Sequence, residues 1–222
     1  MKCRPMNRNN MQDFRREQFK EITKHLIQDK RPSEYIQLLS EDSNYSEAPF
    51  NMLWLLKSTE QSKKYHPEGS VWKHTMLVLD EAAKVRSKSS DPLVFMWAAL
   101  LHDIGKPEAT KIRKGKITSY DHDKIGEKLC VKFLMYFTQN EEFIQKVASL
   151  VRYHMHMLYV LRDLPYSDVA NLIHKVDINE IALLCLCDRM GRYGAVIASE
   201  EMEYNIFIKK LKQVKNELDK NR

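Results

Sequence analysis

The sequence is most constrained by an almost wholly apolar segment, Phe95–Leu101, that ends directly at the polar pair His102-Asp103. A run this apolar is expected to be a buried helix, and Asp91-Pro92 is a typical signal for its beginning. Imidazole nitrogens and carboxylate oxygens are common metal ligands. A buried element that ends in such a pair therefore carries two ligands into a cleft. The pair alone is weak evidence, because a His beside an Asp is frequent by chance.

Helical periodicity dominates the rest of the chain and predicts an all-α fold. Charged residues make up 30% of the 222 residues and Gly and Pro number only 6 and 7, which is typical of a globular, helix-rich protein. The periodicity predicts helices near residues 14–26, 32–39, 48–56, 71–85, 92–101, 121–138, 141–153, 178–190 and 199–219. One more helix is expected after Pro165, with Ser167 as its N-cap.

A basic segment follows the His-Asp pair. Gly105 and Pro107 are expected to stop the buried helix. Residues 107–120 are read as a loop or a small hairpin, with Lys111–Arg113 against Ile117–Ser119 around Gly115. The formal net charge of the chain is +6, which favours anionic partners such as nucleotides or RNA, although a solvated basic surface explains it equally well.

Further histidines and aspartates occur on both sides of the central pair, each in a helical or turn-like context. Together with the pair they give the order His, His-Asp, His, His, Asp along the chain. The additional candidates are His74, His122, His154 and Asp188.

This ordered set resembles the HD-domain superfamily of metal-dependent phosphohydrolases. The stretches from His66 to Thr75, HDIGKPEAT from His102 and DRMGR from Asp188 resemble in particular the HD domain of bacterial tRNA nucleotidyltransferases, the CCA-adding enzymes. The resemblance covers about residues 50–195. It implies an HD-domain helical bundle at 66–195, an N-terminal helical extension at 1–65, and a C-terminal amphipathic helix at 196–222 packed on the same domain.

The resemblance also implies a set of metal ligands. In the family, the first His, the doublet and the final Asp bind one ion, and some members hold a second ion through two further histidines. Carried over, these are His74, His102, Asp103 and Asp188 for the first ion, and His122 and His154 for the second. One or two divalent ions are therefore expected, and Mn, Fe, Co, Ni, Zn and Mg all suit such ligands.

For several neighbouring residues the sequence allows both a functional and a structural role. Lys106 is expected to pair with a substrate phosphate, and the competing reading is a lysine favoured by a helix C-terminus. Arg192 fits the family pattern of a phosphate-binding arginine better than Arg189, and a structural ion pair is the alternative. His66 and Glu68 either position substrate or close a turn before the next helix, and the turn is favoured.

The remaining candidates are expected to lie outside the ligand set. His154 is favoured over His156 as a ligand, which leaves His156 to support the site or to face substrate. Asp80 and Asp123 are read as supporting or surface groups. Two histidines, His25 and His174, fit no pattern.

The cysteines and the N-terminus exclude some other classes of protein. The four cysteines form no CxxC pair, and Cys130, Cys185 and Cys187 are expected to be reduced thiols in the core, with Cys3 left over. Residues 1–16 show no secretory signal, and no apolar run approaches the ~18–20 residues of a membrane span. The expected location is the cytoplasm, with no membrane partner.

The resemblance implies hydrolysis of a phosphate ester through a metal-activated water, with Asp103 and Lys106 as catalytic residues. The expected substrate is a nucleotide or an RNA-terminal phosphate, in a reaction of the 2′,3′-cyclic phosphodiesterase, nucleotidase or phosphatase type. The alternative is a nucleotide- or RNA-binding module with a structural metal and no turnover. The first ~65 residues show no strand with the paired aspartates of a nucleotidyltransferase domain, in which a Gly-Ser is followed by Asp-x-Asp. A stand-alone HD domain is therefore expected, and the oligomeric state is not indicated.

Overall fold

The computed structural model describes residues 8–221, with the side chains of all of them except residues 8–12 and 44. Cys3 and residues 1–7 of the predicted N-terminal extension lie outside the described residues. The α-helices are α1 (Arg8–Gln28), α2 (Pro32–Leu39), α3 (Phe50–Trp54), α4 (Val71–Val85), α5 (Pro92–Leu101), α6 (Lys106–Ala109), α7 (His122–Leu134), α8 (Glu141–Tyr153), α9 (His156–Leu161), α10 (Val169–Lys175), α11 (Ile178–Met190) and α12 (Ile197–Lys220). Short 3-10 turns occupy Ser43–Tyr45, Leu55–Lys57 and Arg86–Lys88.

The predicted all-α class is confirmed, with one small β hairpin in the described part of the chain. Strands β1 (Lys111–Arg113) and β2 (Lys116–Thr118) pair antiparallel, with Ile112 opposite Ile117. The second strand begins one residue earlier than predicted. The reason is a two-residue turn at Lys114-Gly115, where both residues have positive φ and close the hairpin tightly.

Helix α5 forms the centre of the hydrophobic core. Every residue from Phe95 to Leu101 is at most 1% exposed, because α1, α4, α8 and α11 pack around the helix. Trp97 stacks on Phe19 of α1 with ring centroids 5.0 Å apart, and its indole N–H donates to Thr23 Oγ1 at 3.1 Å. The side chain of Asp91 caps the first turn by accepting a backbone N–H, as the sequence signal predicted.

Helix boundaries differ from the periodicity in several places. Pro107 does not end a helix but lies in the first turn of α6, where its missing N–H has no cost. Helix α7 ends at Leu134, before the predicted residue 138. Asp168, not Ser167, precedes α10, and the short helix α9 was not predicted. Helices of one or two turns are too short to give a periodic signal.

The C-terminal helix α12 packs on α9, α10 and α11 through an apolar stripe that includes the fully buried Phe207 and Leu211. The predicted buried, unpaired cysteines are confirmed at Cys130, Cys185 and Cys187. Within residues 8–221, no helix combines the length and the apolar composition that crossing a membrane requires.

Two glycines allow helices to approach closely on either side of the central pair. A Cβ on Gly105 would lie 2.1 Å from the carbonyl oxygen of His122 and 2.5 Å from the nitrogen of Gly126. A Cβ on Gly191 would lie 2.5 Å from Cγ2 of Val78 and 2.9 Å from its backbone nitrogen. Because Gly105 has no Cβ, the turn after α5 can pack closely against α7. Because Gly191 has none, the end of α11 can pack closely against α4.

Gly105→Ala should therefore disrupt the packing of this turn on α7. Backbone atoms cannot move aside as a flexible side chain can, so we expect the free energy of unfolding to fall by about 3 kcal/mol or more. Urea denaturation measures the change. Glu108→Ala, an exposed change in the same short helix, is the control and should stay within about 0.5 kcal/mol of the wild type. Equal stability of the two variants would contradict the close approach.

Candidate metal centre

The six predicted ligands come together in the interior from five different parts of the chain. His74 lies within α4, His102 and Asp103 follow α5, His122 begins α7, His154 follows α8, and Asp188 lies near the end of α11. All six are at most 6% exposed. Side chains from facing helices converge here as they do in metal sites of helical bundles.

The carboxylate of Asp103 occupies the middle of the cluster. Its Oδ1 lies 3.5 Å from Nε2 of His122 and 3.7 Å from Nε2 of His154. Its Oδ2 lies 3.2 Å from Nε2 of His102 and 2.8 Å from Nζ of Lys106. Asp103 thus contacts both His102 and the His122–His154 pair.

Backbone carbonyls hold three of the histidines in a defined tautomer. Nδ1 of His102, His122 and His154 lies 2.9, 2.7 and 2.7 Å from the carbonyl oxygens of Ala99, Ser119 and Val151, respectively. A carbonyl oxygen only accepts a hydrogen bond, so Nδ1 carries the proton and the Nε2 lone pair is left free. All three free lone pairs point towards Asp103.

Two of these lone pairs face each other directly. Nε2 of His122 lies 3.1 Å from Nε2 of His154, although neither nitrogen has a proton to donate in the tautomer that the carbonyls select. Nε2 of His102 likewise has no hydrogen-bond partner among the described residues. Lone pairs at these distances are stabilised by a cation, which is the behaviour expected of metal ligands.

Burial also keeps His122 and His154 neutral. It lowers the pKa of His122 to about 4, with a further contribution from Lys106. Burial and the neighbouring His122 and His102 lower the pKa of His154 to about 4. Burial alone would raise the pKa of Asp103, but Lys106 and His102 outweigh it and hold that pKa well below its usual range. At neutral pH the cluster therefore presents neutral imidazoles and a charged carboxylate.

His74 has a different environment, because a carboxylate faces each of its ring nitrogens. Nε2 lies 2.8 Å from Oδ1 of Asp188, and Nδ1 lies 2.9 Å from Oε1 of Glu68, an ion-pair distance without good hydrogen-bond alignment. Burial would lower the pKa of His74, but Asp188 and Glu68 together raise it. Arg192 and His74 in turn hold the pKa of Asp188 well below its usual range despite burial. Nη2 of Arg192 lies 3.2 Å from Oδ2 of Asp188.

Glu68 is the functional residue whose contacts the sequence did not indicate. It lies in a turn, as expected, but its side chain is fully buried and Oε1 also contacts Nδ1 of His66 at 3.0 Å. Gly69 has a positive φ of 99°, which reverses the chain just before α4 and folds Glu68 back onto His74. An acidic residue in a turn directly before a ligand-bearing helix was the available signal.

Other candidates lie outside the cluster. Arg189 forms ion pairs with Glu200 and Glu203 of α12 and fastens that helix, so it does not join Arg192 in a fork. Asp123 is buried and pairs with Nη1 of Arg152 at 2.5 Å.

The residues that fit no ligand pattern are also placed. Asp80 accepts from the backbone and hydroxyl of Ser33 at the start of α2. His156 is buried behind the cluster, where its Nε2 accepts from the backbone N–H of Asp168. His25 lies in the last turn of α1, and its Nδ1 is 2.8 Å from Oδ2 of Asp29, which follows the helix. His174 is exposed.

Three groups of side chains in the described region are close enough to hold a metal ion, with ligand atoms within 4.8 Å of one another. They are His66, Glu68 and His74; His74, His102 and Asp103; and Asp103, His122 and His154. The last two groups share Asp103. Ligands that are only nitrogen and oxygen suit a borderline or hard divalent ion with open coordination positions, rather than a structural zinc held by thiolates.

Comparison with known proteins agrees with this geometry. The model of the HD domain family matches residues 71–190, a range that contains all six predicted ligands. A multifunctional CCA protein of Pasteurella multocida (strain Pm70) is 29% identical over 185 residues, which cover 78% of this chain and 42% of that protein. One from Pseudomonas fluorescens (strain SBW25) is 31% identical over 189 residues, covering 79% and 42%. One from Haemophilus influenzae (strain PittGG) is 26% identical over 215 residues, covering 89% and 48%. The chain spans less than half the length of these curated relatives.

Glu68→Gln tests whether the Glu68 carboxylate positions His74. The amide keeps the size of the side chain but removes a charge that the buried His74 and the half-buried His66 face, so we expect a loss of about 1–3 kcal/mol in the free energy of unfolding. Denaturation with urea measures the loss, and nitrogen NMR of the imidazole reports whether His74 keeps its Nδ1 proton.

Glu81→Gln is the matched control for this variant, because Glu81 lies on the same helix as His74 but pairs with Lys84 at the surface. Its effect should be at most about 0.5 kcal/mol. If Glu68→Gln behaves like Glu81→Gln in both measurements, the positioning role is wrong.

Proposed function

The chain belongs to the HD domain family of metal-dependent phosphohydrolases, and from its site we propose that it hydrolyses a phosphate ester of a nucleotide or of an RNA end. The observation that carries the proposal is the convergence of three histidine Nε2 atoms on the carboxylate of Asp103. The reaction is of the 2′,3′-cyclic phosphodiesterase, nucleotidase or phosphatase type. Residues 66–195 form the catalytic HD domain, and the segments 1–65 and 196–222 are extensions of it.

The proposed ligands of the first divalent ion are His74, His102, Asp103 and Asp188. A second ion would be held by His122 and His154, with Asp103 between the two sets. Bound by these residues, a divalent ion would supply Lewis acidity towards a phosphoryl oxygen and would lower the pKa of a water towards neutral. The protein's part is to keep the imidazoles of His122 and His154 neutral, to keep Asp103 charged and, through Glu68, to keep the Nε2 side of His74 turned towards Asp188.

Lys106 is proposed to bind the substrate phosphate beside Asp103. Its ammonium group has three protons, of which Asp103 Oδ2 at 2.8 Å and Gln61 Oε1 at 2.9 Å take two. The third is available to a phosphate oxygen. The two fixed contacts hold the ammonium in place, which reduces the entropy that substrate binding must remove.

Arg192 is the second proposed phosphate ligand. It is fixed by Asp188 through one terminal nitrogen, and its Nε has no hydrogen-bond partner within the described structure. A guanidinium with unused donors suits the several oxygens of a phosphate. Lys106 and Arg192 thus contact Asp103 and Asp188, respectively, so both cations lie beside proposed metal ligands.

The first test is the metal content of the purified protein by elemental analysis. His102→Ala and Asp103→Ala should lose the bound divalent ion and the activity while helical content is kept, because each removes a ligand from a buried cluster. His122→Ala should lower the metal stoichiometry from two towards one if both sites are filled. His174→Ala, at an exposed histidine, is the control and should keep the wild-type stoichiometry. Unchanged metal content in His102→Ala and Asp103→Ala would rule out the ligand assignment.

The reaction itself is tested with a panel of 2′,3′-cyclic nucleotides, nucleoside monophosphates and RNA ends, each assayed with Mn, Co, Ni, Zn and Mg ions. Turnover of one of these classes supports the proposal. Metal-dependent binding without turnover of any of them would favour a binding module with a structural metal.

Lys106→Gln separates phosphate binding from metal binding. A hydrogen bond to a charged group is worth about 1.5–3 kcal/mol, so we expect kcat/KM to fall by about 10–150-fold. The bound metal should stay within the error of the wild type, because Lys106 is not a ligand. Kinetics equal to those of the wild type would contradict the phosphate role, whereas loss of the metal would show that Lys106 acts by holding Asp103 in place.

A further inference from the structure

The hairpin β1–β2 has an unusual distribution of charge. Lys111, Arg113, Lys114 and Lys116 lie within six residues that contain no acidic side chain. All four are exposed, and none forms an ion pair with a described residue, whereas many helix lysines pair with an acid three or four residues away. The nearest acids along the chain are Glu108, which forms no ion pair with a hairpin cation, and Asp121, which is paired with Lys124 at 2.7 Å. The positive charge of the hairpin is therefore not neutralised by the described part of the protein.

The register of the hairpin places its cations on one face. Arg113 is directly opposite Lys116, and Lys111 is opposite Thr118, so alternation along the strands puts these side chains together. Ile112 and Ile117 occupy the other face. Like charges directly opposite each other destabilise a strand pair. An arrangement that is unfavourable by itself becomes favourable when an anion contacts both cations.

An exposed aromatic ring lies next to the cationic face. Tyr120 is 61% exposed, and the guanidinium of Arg113 lies over its ring at 5.9 Å from the centroid. Aromatic side chains beside lysine and arginine are typical of surfaces that bind single-stranded nucleic acids, because bases stack on the rings while cations contact the phosphates. An acidic protein or a lipid headgroup would use the cations but not the ring.

The hairpin is tied directly to the metal centre. Thr110 and Ser119, which flank the two strands, are joined by a hydrogen bond of 2.7 Å between their hydroxyl groups. The carbonyl of Ser119 accepts the Nδ1 proton of His122 at 2.7 Å. Tyr120 is thus only two residues from a proposed metal ligand. When the terminal phosphate of a nucleic acid lies at the metal centre, the nucleotides next to that phosphate lie beside the hairpin.

We propose that the cationic face of the hairpin (Lys111, Arg113 and Lys116, with Tyr120) binds the single-stranded segment next to the terminal phosphate of an RNA. This inference rests on the proposed function and narrows its substrate class from free nucleotides to polynucleotide ends. The cations contact successive phosphates, Tyr120 stacks on one base, and the site acts on the end of the same strand.

Binding is measured separately from hydrolysis, with the full chain in EDTA and a fluorescent eight-nucleotide RNA that ends in a 3′-phosphate. Arg113→Gln combined with Lys116→Gln should weaken binding about tenfold at low salt and reduce the slope of log K against log salt by about 1.4, since each phosphate contact on a single strand contributes about 0.7. Tyr120→Ala should weaken binding about tenfold, the effect of losing one stacked base, with an unchanged salt slope.

Lys212→Gln combined with Lys215→Gln is the matched control, because it removes two exposed, unpaired cations from α12. It should bind the RNA within twofold of the wild type. Equal weakening by the control and the hairpin variant would overturn the proposal in favour of attraction by net charge alone. Absence of RNA binding by the wild type, or equal displacement of the RNA by polyglutamate, would overturn it as well.

Kinetics then separate this inference from the proposed function. For the hairpin variant, the ratio of kcat/KM on an RNA end to kcat/KM on the corresponding 2′,3′-cyclic mononucleotide should fall about tenfold, and the control should keep the wild-type ratio. If the wild type binds RNA through the hairpin but hydrolyses neither substrate, the RNA-binding surface is supported and the proposed function is wrong. If the wild type hydrolyses both substrates and the hairpin variant keeps the same ratio of kcat/KM values, the proposed function is supported and the RNA-binding surface is wrong.

Discussion

The carboxylate of Asp103 carries a charge at 1% exposure, and much of the surrounding structure can be understood from the requirement to stabilise that charge. Removing a carboxylate from water costs several kcal/mol unless cations and hydrogen-bond donors replace the water. Here Lys106 contacts the carboxylate at 2.8 Å, whereas the three imidazoles turn Nε2 lone pairs towards it and donate no hydrogen bond, so a further cation is needed to stabilise the charge. Because those groups stand at the ends of α5, α7 and α8 and at the start of α6, the four helices must meet at one point. Gly105 makes the meeting of α6 with α7 sterically allowed.

The four histidines of the site fall into two groups, because His74 has a different environment from His102, His122 and His154. Burial holds His122 and His154 neutral, and backbone carbonyls take the Nδ1 side of these two rings and of His102, which leaves Nε2 facing the site. His74 lies between two carboxylates that raise its pKa, so a proton competes with a cation for this ring more than for His122 or His154. Glu68 faces Nδ1 of His74 at 2.9 Å. The buried carboxylate outside the ligand set therefore determines which nitrogen of His74 faces the rest of the site.

Part of this arrangement could be predicted from the sequence. Periodicity located the helices that end at His102 and His154 and placed Asp188 on the buried face of α11, but the convergence of the six side chains followed from the family resemblance. The contact between Arg192 and Asp188 could also be read locally, because the two residues are four apart, whereas Arg189 pairs with Glu203 of α12. Glu68 was not predictable in this way. A turn that closes before a helix and a turn that buries a carboxylate have the same local sequence, and only the tertiary contact with His74 distinguishes them.

Ser119 links the position of the hairpin to the orientation of His122. Its carbonyl fixes the tautomer of His122, and its hydroxyl is bonded to Thr110 at the other end of the hairpin, so the position of β2 and the orientation of His122 are coupled. A strand pair of three residues each buries little surface and is not stable alone, so its position must be determined by these anchors. An RNA segment bound to the cationic face would relieve the repulsion between Arg113 and Lys116 and so stabilise the hairpin in the conformation that orients His122. Substrate binding at a distance from the phosphate would then order a group in the metal centre, which is one way for binding energy from a non-reacting part of a substrate to contribute to the reaction.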